Sequence, residues 1–134
     1  MDKLEHIGIA VKNLDESNQL FAKLLGKAHY KIEEVASEGV RTSFFEVGGV
    51  KIELLEATNS DSPIAKFIEK RGEGIHHLAF EVADIRTSIH DYGENGFILL
   101  NNQPKPGADN KQIAFMHPKS TNGVLVELCE EKRS

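Results

Sequence analysis

At 134 residues, with 40% hydrophobic and 28% charged side chains, the chain has the composition of one ordinary globular domain. A formal net charge of −5 argues against general nucleic-acid binding, and no apolar run reaches the length of a membrane span. One cysteine, Cys129, cannot form an internal disulfide, and a strand-like pattern begins almost at Met1, so no signal peptide and a cytoplasmic location are expected.

In chain order, Leu4 to Val11 alternates as a strand and leads into a helix. Asp15 or Ser17 is placed to cap that helix, Leu20, Phe21, Leu24 and Leu25 give it an apolar face, and Gly26 is placed to end it. Strands are expected at Lys31 to Val35, Arg41 to Val47 and Val50 to Glu56, with Gly48-Gly49 as the tight turn between the last two. Ser62-Pro63 reads as the N-cap and first position of a short helix facing inward through Ile64, Phe67 and Ile68. A strand then starts at Ile75. Asp84 is placed to cap a helix carrying Ile85, Ile89 and Tyr92, which stops between Gly93 and Gly96. Strands are expected at Phe97 to Asn101, Gln112 to His117 and Gly123 to Cys129, with Lys105 to Asn110 as a loop. The charged tail from Glu130 to Ser134 reads as frayed.

The chain repeats itself. Leu4-Glu5-His6-Ile7-Gly8-Ile9 parallels Ile75-His76-His77-Leu78-Ala79-Phe80, with a histidine third in each. Gly49-Val50-Lys51-Ile52-Glu53-Leu54 parallels Gly123-Val124-Leu125-Val126-Glu127-Leu128, with a glutamate fifth in each. Nearly the same length of chain separates His6 from His77 as separates Glu53 from Glu127. Two motifs with nearly one offset imply a duplicated unit. A single domain, 1–134, is therefore expected, made of βαβββ modules at 1–59 and 75–130 joined by a linker at 60–74. This is an α+β class fold in which both modules share one curved, eight-stranded mixed sheet with helices outside.

Side chains alternate along a strand. Ile7, Ile9 and Val11 then face a helix, while His6 shares the other face with Gly8 and Ala10; Leu78, Phe80 and Val82 oppose His77 and Ala79 in the same way. Glu53 and Glu127 each stand opposite an aliphatic face. A carboxylate among aliphatic residues is costly to bury unless paired. Four such positions related by one repeat point to a common partner. Imidazole nitrogen with carboxylate oxygen suits Co, Ni, Zn, Mn or Fe better than Ca. His6, Glu53, His77 and Glu127 are thus the expected ligands of one divalent ion in a cleft between the halves. His76 reads as structural, His29, His90 and His117 as surface or loop residues, and Glu5, Glu56, Glu81 and Glu130 as solvated.

These residues resemble the vicinal oxygen chelate superfamily, which includes glyoxalase I. The segment Ala114-Phe115-Met116-His117-Pro118-Lys119-Ser120-Thr121, running into Gly123-Val124-Leu125-Val126-Glu127-Leu128, is similar to the methylmalonyl-CoA epimerases within it. Pro106-Gly107-Ala108 also fits, and the resemblance covers nearly the whole chain. It implies an isomerase that interconverts (R)- and (S)-methylmalonyl-CoA through an enolate, a bound Co2+ (with Zn2+, Ni2+ or Mn2+ as other occupants), an acyl-CoA thioester as partner and a homodimer. It makes Glu127 an acid–base group as well as a ligand. The opposing group is assigned to Glu38, because Ser37 stands where the epimerases often carry a carboxylate; Glu46 is the second candidate. Lys105, Lys111 and Lys119 are candidates for contacts to the CoA phosphates. Two other readings stay open: a glyoxalase I, and a non-catalytic relative that binds a small molecule.

Overall fold

A computed structural model describes residues 1–132. The described residues form eight β-strands and three α-helices, with a 3-10 turn at Ala36–Glu38 and another at Pro118–Ser120. Two compact units are present: one spans His6–His76, and the other combines Met1–Glu5 with the chain from His77 onward.

The first half follows the order β1 (Lys3–Ala10), α1 (Leu14–Leu25), β2 (Lys31–Val35), β3 (Val40–Val47) and β4 (Val50–Ala57). Its strands lie in the spatial order β2-β3-β4-β1. β1 runs parallel to β4, and the other two pairs are antiparallel. The turn from β3 to β4 uses Gly48 and Gly49, both with positive φ (57° and 88°), the backbone that a two-residue hairpin of this hand requires. Helix α2 (Pro63–Arg71) follows, with Ser62 accepting from the Ile64 N–H at 3.1 Å.

The second half repeats the plan as β5 (Gly74–Glu81), α3 (Ile85–Glu94), β6 (Lys105–Pro106), β7 (Lys111–Met116) and β8 (Val126–Glu131), in the spatial order β5-β8-β7-β6. β5 and β8 are parallel; β8–β7 and β7–β6 are antiparallel. The chain's start belongs with this half, where the Asp2 N–H donates to the Glu81 carbonyl at 2.9 Å. Each half therefore reads βαβββ and is mixed in strand sense, which is the α+β arrangement expected from the repeat.

The apolar faces fall where alternation puts them. Ile9, Val11, Phe45, Ile52 and Leu54 pack with Leu14, Phe21 and Leu25 of α1. Phe80, Val82, Val126 and Leu128 pack with Ile85 and Ile89 of α3. Several expectations are corrected. Leu20 and Leu24 do not face the core; they are 63% and 69% exposed, and Leu14 and Asn18 take the buried stripe of α1 instead. Asn13, not Asp15 or Ser17, caps α1 by accepting from the Glu16 N–H at 2.9 Å. Asn13 is the repeat equivalent of Asp84, which caps α3 through the Thr87 N–H: the two caps are offset exactly as His6 and His77 are, so the repeat itself carried the signal.

The segment Phe97 to Asn101 is not a strand; it makes only an isolated bridge, Leu99 to Met116. The third strand of the second half is instead β6, inside the stretch expected to be a loop. Proline and glycine make that segment read as irregular, but two residues suffice to pair with β7 at an edge, where a missing N–H is tolerated. Glu130 and Glu131 close β8 rather than fray, while 133–134 lie outside the described residues.

Candidate functional site

In the first half, His6 lies two residues before Gly8, and Gly8 is the register partner of Glu53. In the second half, His77 lies two residues before Ala79, the partner of Glu127. Identical registers in two parallel pairs put each histidine beside its glutamate, on the face away from the helix. His6 Nδ1 is 3.1 Å from Glu53 Oε2, and His77 Nε2 is 3.3 Å from Glu127 Oε1. All four residues are buried, with 3–5% exposure.

Gly8 and Ala79 share the strand faces of His6 and His77, and Ala79 is fully buried in a cluster with Ile113 and Cys129. Phe115, the register partner of Glu127, meets the His77 ring edge-on with centroids 5.9 Å apart. Phe44 is likewise the register partner of Glu53.

The donor chemistry fits a divalent ion. Neutral imidazoles and carboxylates are the N/O set that borderline metals prefer. Two ligands bound side by side at about 2.1 Å have donor atoms roughly 3.0–3.4 Å apart, and the separation within each pair falls in that range. His6 and Glu53 belong to one group of buried donors able to hold an ion, and His77 and Glu127 belong to another.

The proposed acid–base partners differ in setting from the two buried His–Glu pairs. Glu38 ends the 3-10 turn before Gly39 and is half-buried; it is part of neither His–Glu pair. Ser37 is exposed in the same turn. Glu46 is occupied on the β3–β4 hairpin: its carboxylate accepts from the Gly49 N–H at 2.6 Å and from Lys27 Nζ at 3.2 Å. Those contacts, with the backbone N–H foremost, hold its pKa below the usual carboxylate value.

His76 is structural, as expected. Its ring meets Phe67 of α2 edge-on at 5.0 Å, and burial pushes its pKa down to about 4. His90 and His117 are exposed; His117 caps the Pro118–Ser120 turn by accepting from the Lys119 N–H at 2.9 Å. The Ser120 hydroxyl then accepts from the Ile98 N–H at 3.1 Å, so the segment from His117 to Ser120 clips the chain at Ile98.

Three glutamates expected to be solvated are not. Glu5 is 4% exposed. Glu56 accepts from the Leu14 N–H at 2.9 Å, and Glu130 accepts from the Ile85 N–H at 2.7 Å. The last two carboxylates each tie the last strand of their half to the first turn of that half's helix, where the helix dipole favours negative charge. Glu56 and Glu130 are equivalent in the repeat, with the same offset as Glu53 and Glu127.

Among the described residues, no helix is long and apolar enough to cross a membrane. The family model for the glyoxalase/bleomycin resistance protein/dioxygenase superfamily matches residues 5–115. A hypothetical protein from Bacillus halodurans, BH1468, of known structure, is 47% identical with a TM-score of 0.94, covering 98% of this chain and 96% of that one. The mitochondrial methylmalonyl-CoA epimerase of Dictyostelium discoideum is 40% identical, over 97% of this chain and 78% of its own length. A variant of the Streptomyces coelicolor methylmalonyl-CoA epimerase, solved in complex with 2-nitronate-propionyl-CoA, is 33% identical with a TM-score of 0.93, covering 98% and 95% of the two chains. With a superfamily match over most of its length and named relatives similar to it from end to end, the chain belongs to the methylmalonyl-CoA epimerase family of the glyoxalase/bleomycin resistance protein/dioxygenase superfamily.

Proposed function

We propose that this protein is a cytoplasmic, homodimeric, metal-dependent epimerase that interconverts (R)- and (S)-methylmalonyl-CoA. It works as one domain, 1–134, with modules at 1–59 and 75–130 and a linker at 60–74. His6, Glu53, His77 and Glu127 together hold one divalent ion, Co2+ foremost, with Zn2+, Ni2+ or Mn2+ as other occupants. The observation that carries this reading is the duplicated buried His–Glu pair, in one register and with one donor spacing in both halves. It is supported by a related epimerase, 33% identical, solved with methylmalonyl-CoA bound.

The α-proton of the substrate lies between a thioester and a carboxylate, so its removal leaves charge delocalised onto the thioester oxygen as an enolate. A divalent ion bound at the four donors supplies a Lewis acid for that charge. Glu127 takes or returns the proton on one face of the α-carbon. Inversion requires a second group on the other face. Glu38 is assigned that role, because Ser37 is a hydroxyl and Glu46 is held by Gly49 and Lys27.

The test is incubation of the Co2+-loaded protein with (S)-methylmalonyl-CoA in deuterated water, following deuterium uptake and inversion together. Glu127→Gln should lose at least about 100-fold in rate, with metal content measured in parallel. Glu38→Gln should still exchange deuterium from one face while losing inversion. Efficient turnover of the methylglyoxal–glutathione hemithioacetal alone would replace the epimerase reading with that of a glyoxalase I. Turnover of neither would leave a binding protein.

A further inference from the structure

The repeat continues into the turn that carries Glu38. Gly39 closes that turn just before β3, with φ 65°, and its carbonyl accepts from the Thr58 N–H at 2.9 Å. In the second half Asn110 stands just before β7, with φ 56°, and its carbonyl accepts from the Lys132 N–H at 3.1 Å. Gly39 and Asn110 are offset as Phe44 and Phe115 are, and Thr58 and Lys132 as Glu53 and Glu127 are. In each half, then, one left-handed residue ties the start of a strand to the chain just past its neighbour.

The residue types differ. The left-handed region admits asparagine as well as glycine, and Asn110 has space for a side chain, whose Nδ2 donates to the Lys132 carbonyl at 3.5 Å. Backbone conformation alone therefore does not call for glycine at position 39. Close contact does. A Cβ built on Gly39 would lie 3.1 Å from Ser62 Cβ and 3.4 Å from both Ser62 Oγ and Asn59 Nδ2. Those two residues are themselves held. Ser62 is 2% exposed and caps α2. Its N–H donates to the Asn59 carbonyl at 3.3 Å, and Asn59 Oδ1 accepts from the Asp61 N–H at 2.9 Å. The entry to α2 is thus a fixed corner set against the residue that follows Glu38.

We propose that the Asn59–Ser62 corner is the seat of the acid–base turn, with Ser62 as the positioning residue that sets where Glu38 stands. This rests on the assignment of Glu38 above. Ser62 acts through its contact with Gly39, and a group that transfers a proton is sensitive to such support, because a misplacement of about 1 Å can cost on the order of 100-fold in rate. The linker then serves the chemistry as well as joining the modules.

A double-mutant cycle tests the contact. Ser62→Gly removes the wall while keeping a tolerated N-cap, and Gly39→Ala adds the Cβ that the wall excludes. In the pair, the new Cβ fills space that Ser62 vacates, while the strain of alanine at φ 65° is the same as in the single variant. Inversion and deuterium uptake are followed together on Co2+-loaded protein with each enantiomer of methylmalonyl-CoA. Gly39→Ala should lower inversion about tenfold and Ser62→Gly about threefold, each leaving uptake from the face served by Glu127 within about twofold. The pair should invert faster than Gly39→Ala. Amide hydrogen exchange of metal-free Ser62→Gly gives a readout without turnover: Thr58 should exchange about tenfold faster, and Lys132, its counterpart, should not change. A pair that inverts no faster than Gly39→Ala, uptake that falls in step with inversion, or equal acceleration at Thr58 and Lys132 would overturn the seat. Glu38→Gln separates the two readings. Full inversion in that variant removes the Glu38 assignment and the seat with it, whereas inversion lost there but kept in Ser62→Gly removes only the seat.

Discussion

Replacing His76 with phenylalanine should flatten part of the acid limb of the stability curve. Burial beside Phe67 lowers the His76 pKa from 6.5 to about 4, so the folded protein keeps the ring neutral where an unfolded chain would protonate it. The sign follows from proton counting. Well above pH 6.5 neither state binds a proton and the residue is neutral in its effect. As pH falls, the unfolded state gains a proton first, so stability is lost. Linkage gives a loss of about 2 kcal/mol by pH 5 and about 3 kcal/mol by pH 4, with little more once the folded ring also protonates. The assay is urea unfolding of metal-free wild type and His76→Phe at half-unit steps from pH 7.5 to 4. Carboxylates contribute to both curves and cancel in the difference. The variant should gain relative to wild type as pH falls, along the profile just described. A constant difference would refute the reasoning, because it would mean that His76 titrates alike folded and unfolded.

Two further predictions concern stability. Thr42 is fully buried on β3, and its hydroxyl finds no hydrogen-bond partner among the described residues. Thr42→Val should therefore raise stability by about 1–2 kcal/mol, read as a higher urea midpoint with unchanged slope; a lower midpoint would show that the hydroxyl is satisfied. Glu130→Ala should cost about 1–2 kcal/mol by removing the acceptor for the Ile85 N–H and the charge at the start of α3. Glu130→Gln should recover part of that loss, and a loss below about 0.3 kcal/mol in the alanine variant would leave the contact without weight.

The two buried His–Glu pairs are legible in the sequence because two independent regularities agree on them. Alternation puts His6 and Glu53 on one face of neighbouring strands, and the repeat puts His77 and Glu127 in the same relation. What is not legible follows from long-range pairing. Both Phe97 to Asn101 and Lys105–Pro106 meet β7, the first in a single bridge and the second as a two-residue strand, and neither alternation nor propensity specifies which of them pairs as a strand. The inward face of α1 is ambiguous for a different reason. Leu20 and Leu24 are as apolar as Phe21 and Leu25, and a helix with apolar residues on two sides has no unique inward direction until it docks.

Glu56 and Glu130 read as solvated because a carboxylate alone on a strand usually is, yet each satisfies an N–H at the start of a helix. Both lie three residues after a metal-ligand candidate, Glu53 or Glu127, on the opposite face of the same strand. One strand therefore carries a carboxylate for the site on one side and a carboxylate that anchors the helix on the other. A shift in that strand's register would disturb the donor spacing and the helix contact together. The duplicated acidic pattern of β4 and β8 thus couples helix docking to the geometry of the site, and an alanine at Glu56 or Glu130 should loosen donor alignment as well as stability. Cobalt affinity measured on both variants checks this: a stability loss with unchanged affinity would show that helix docking and donor alignment are independent.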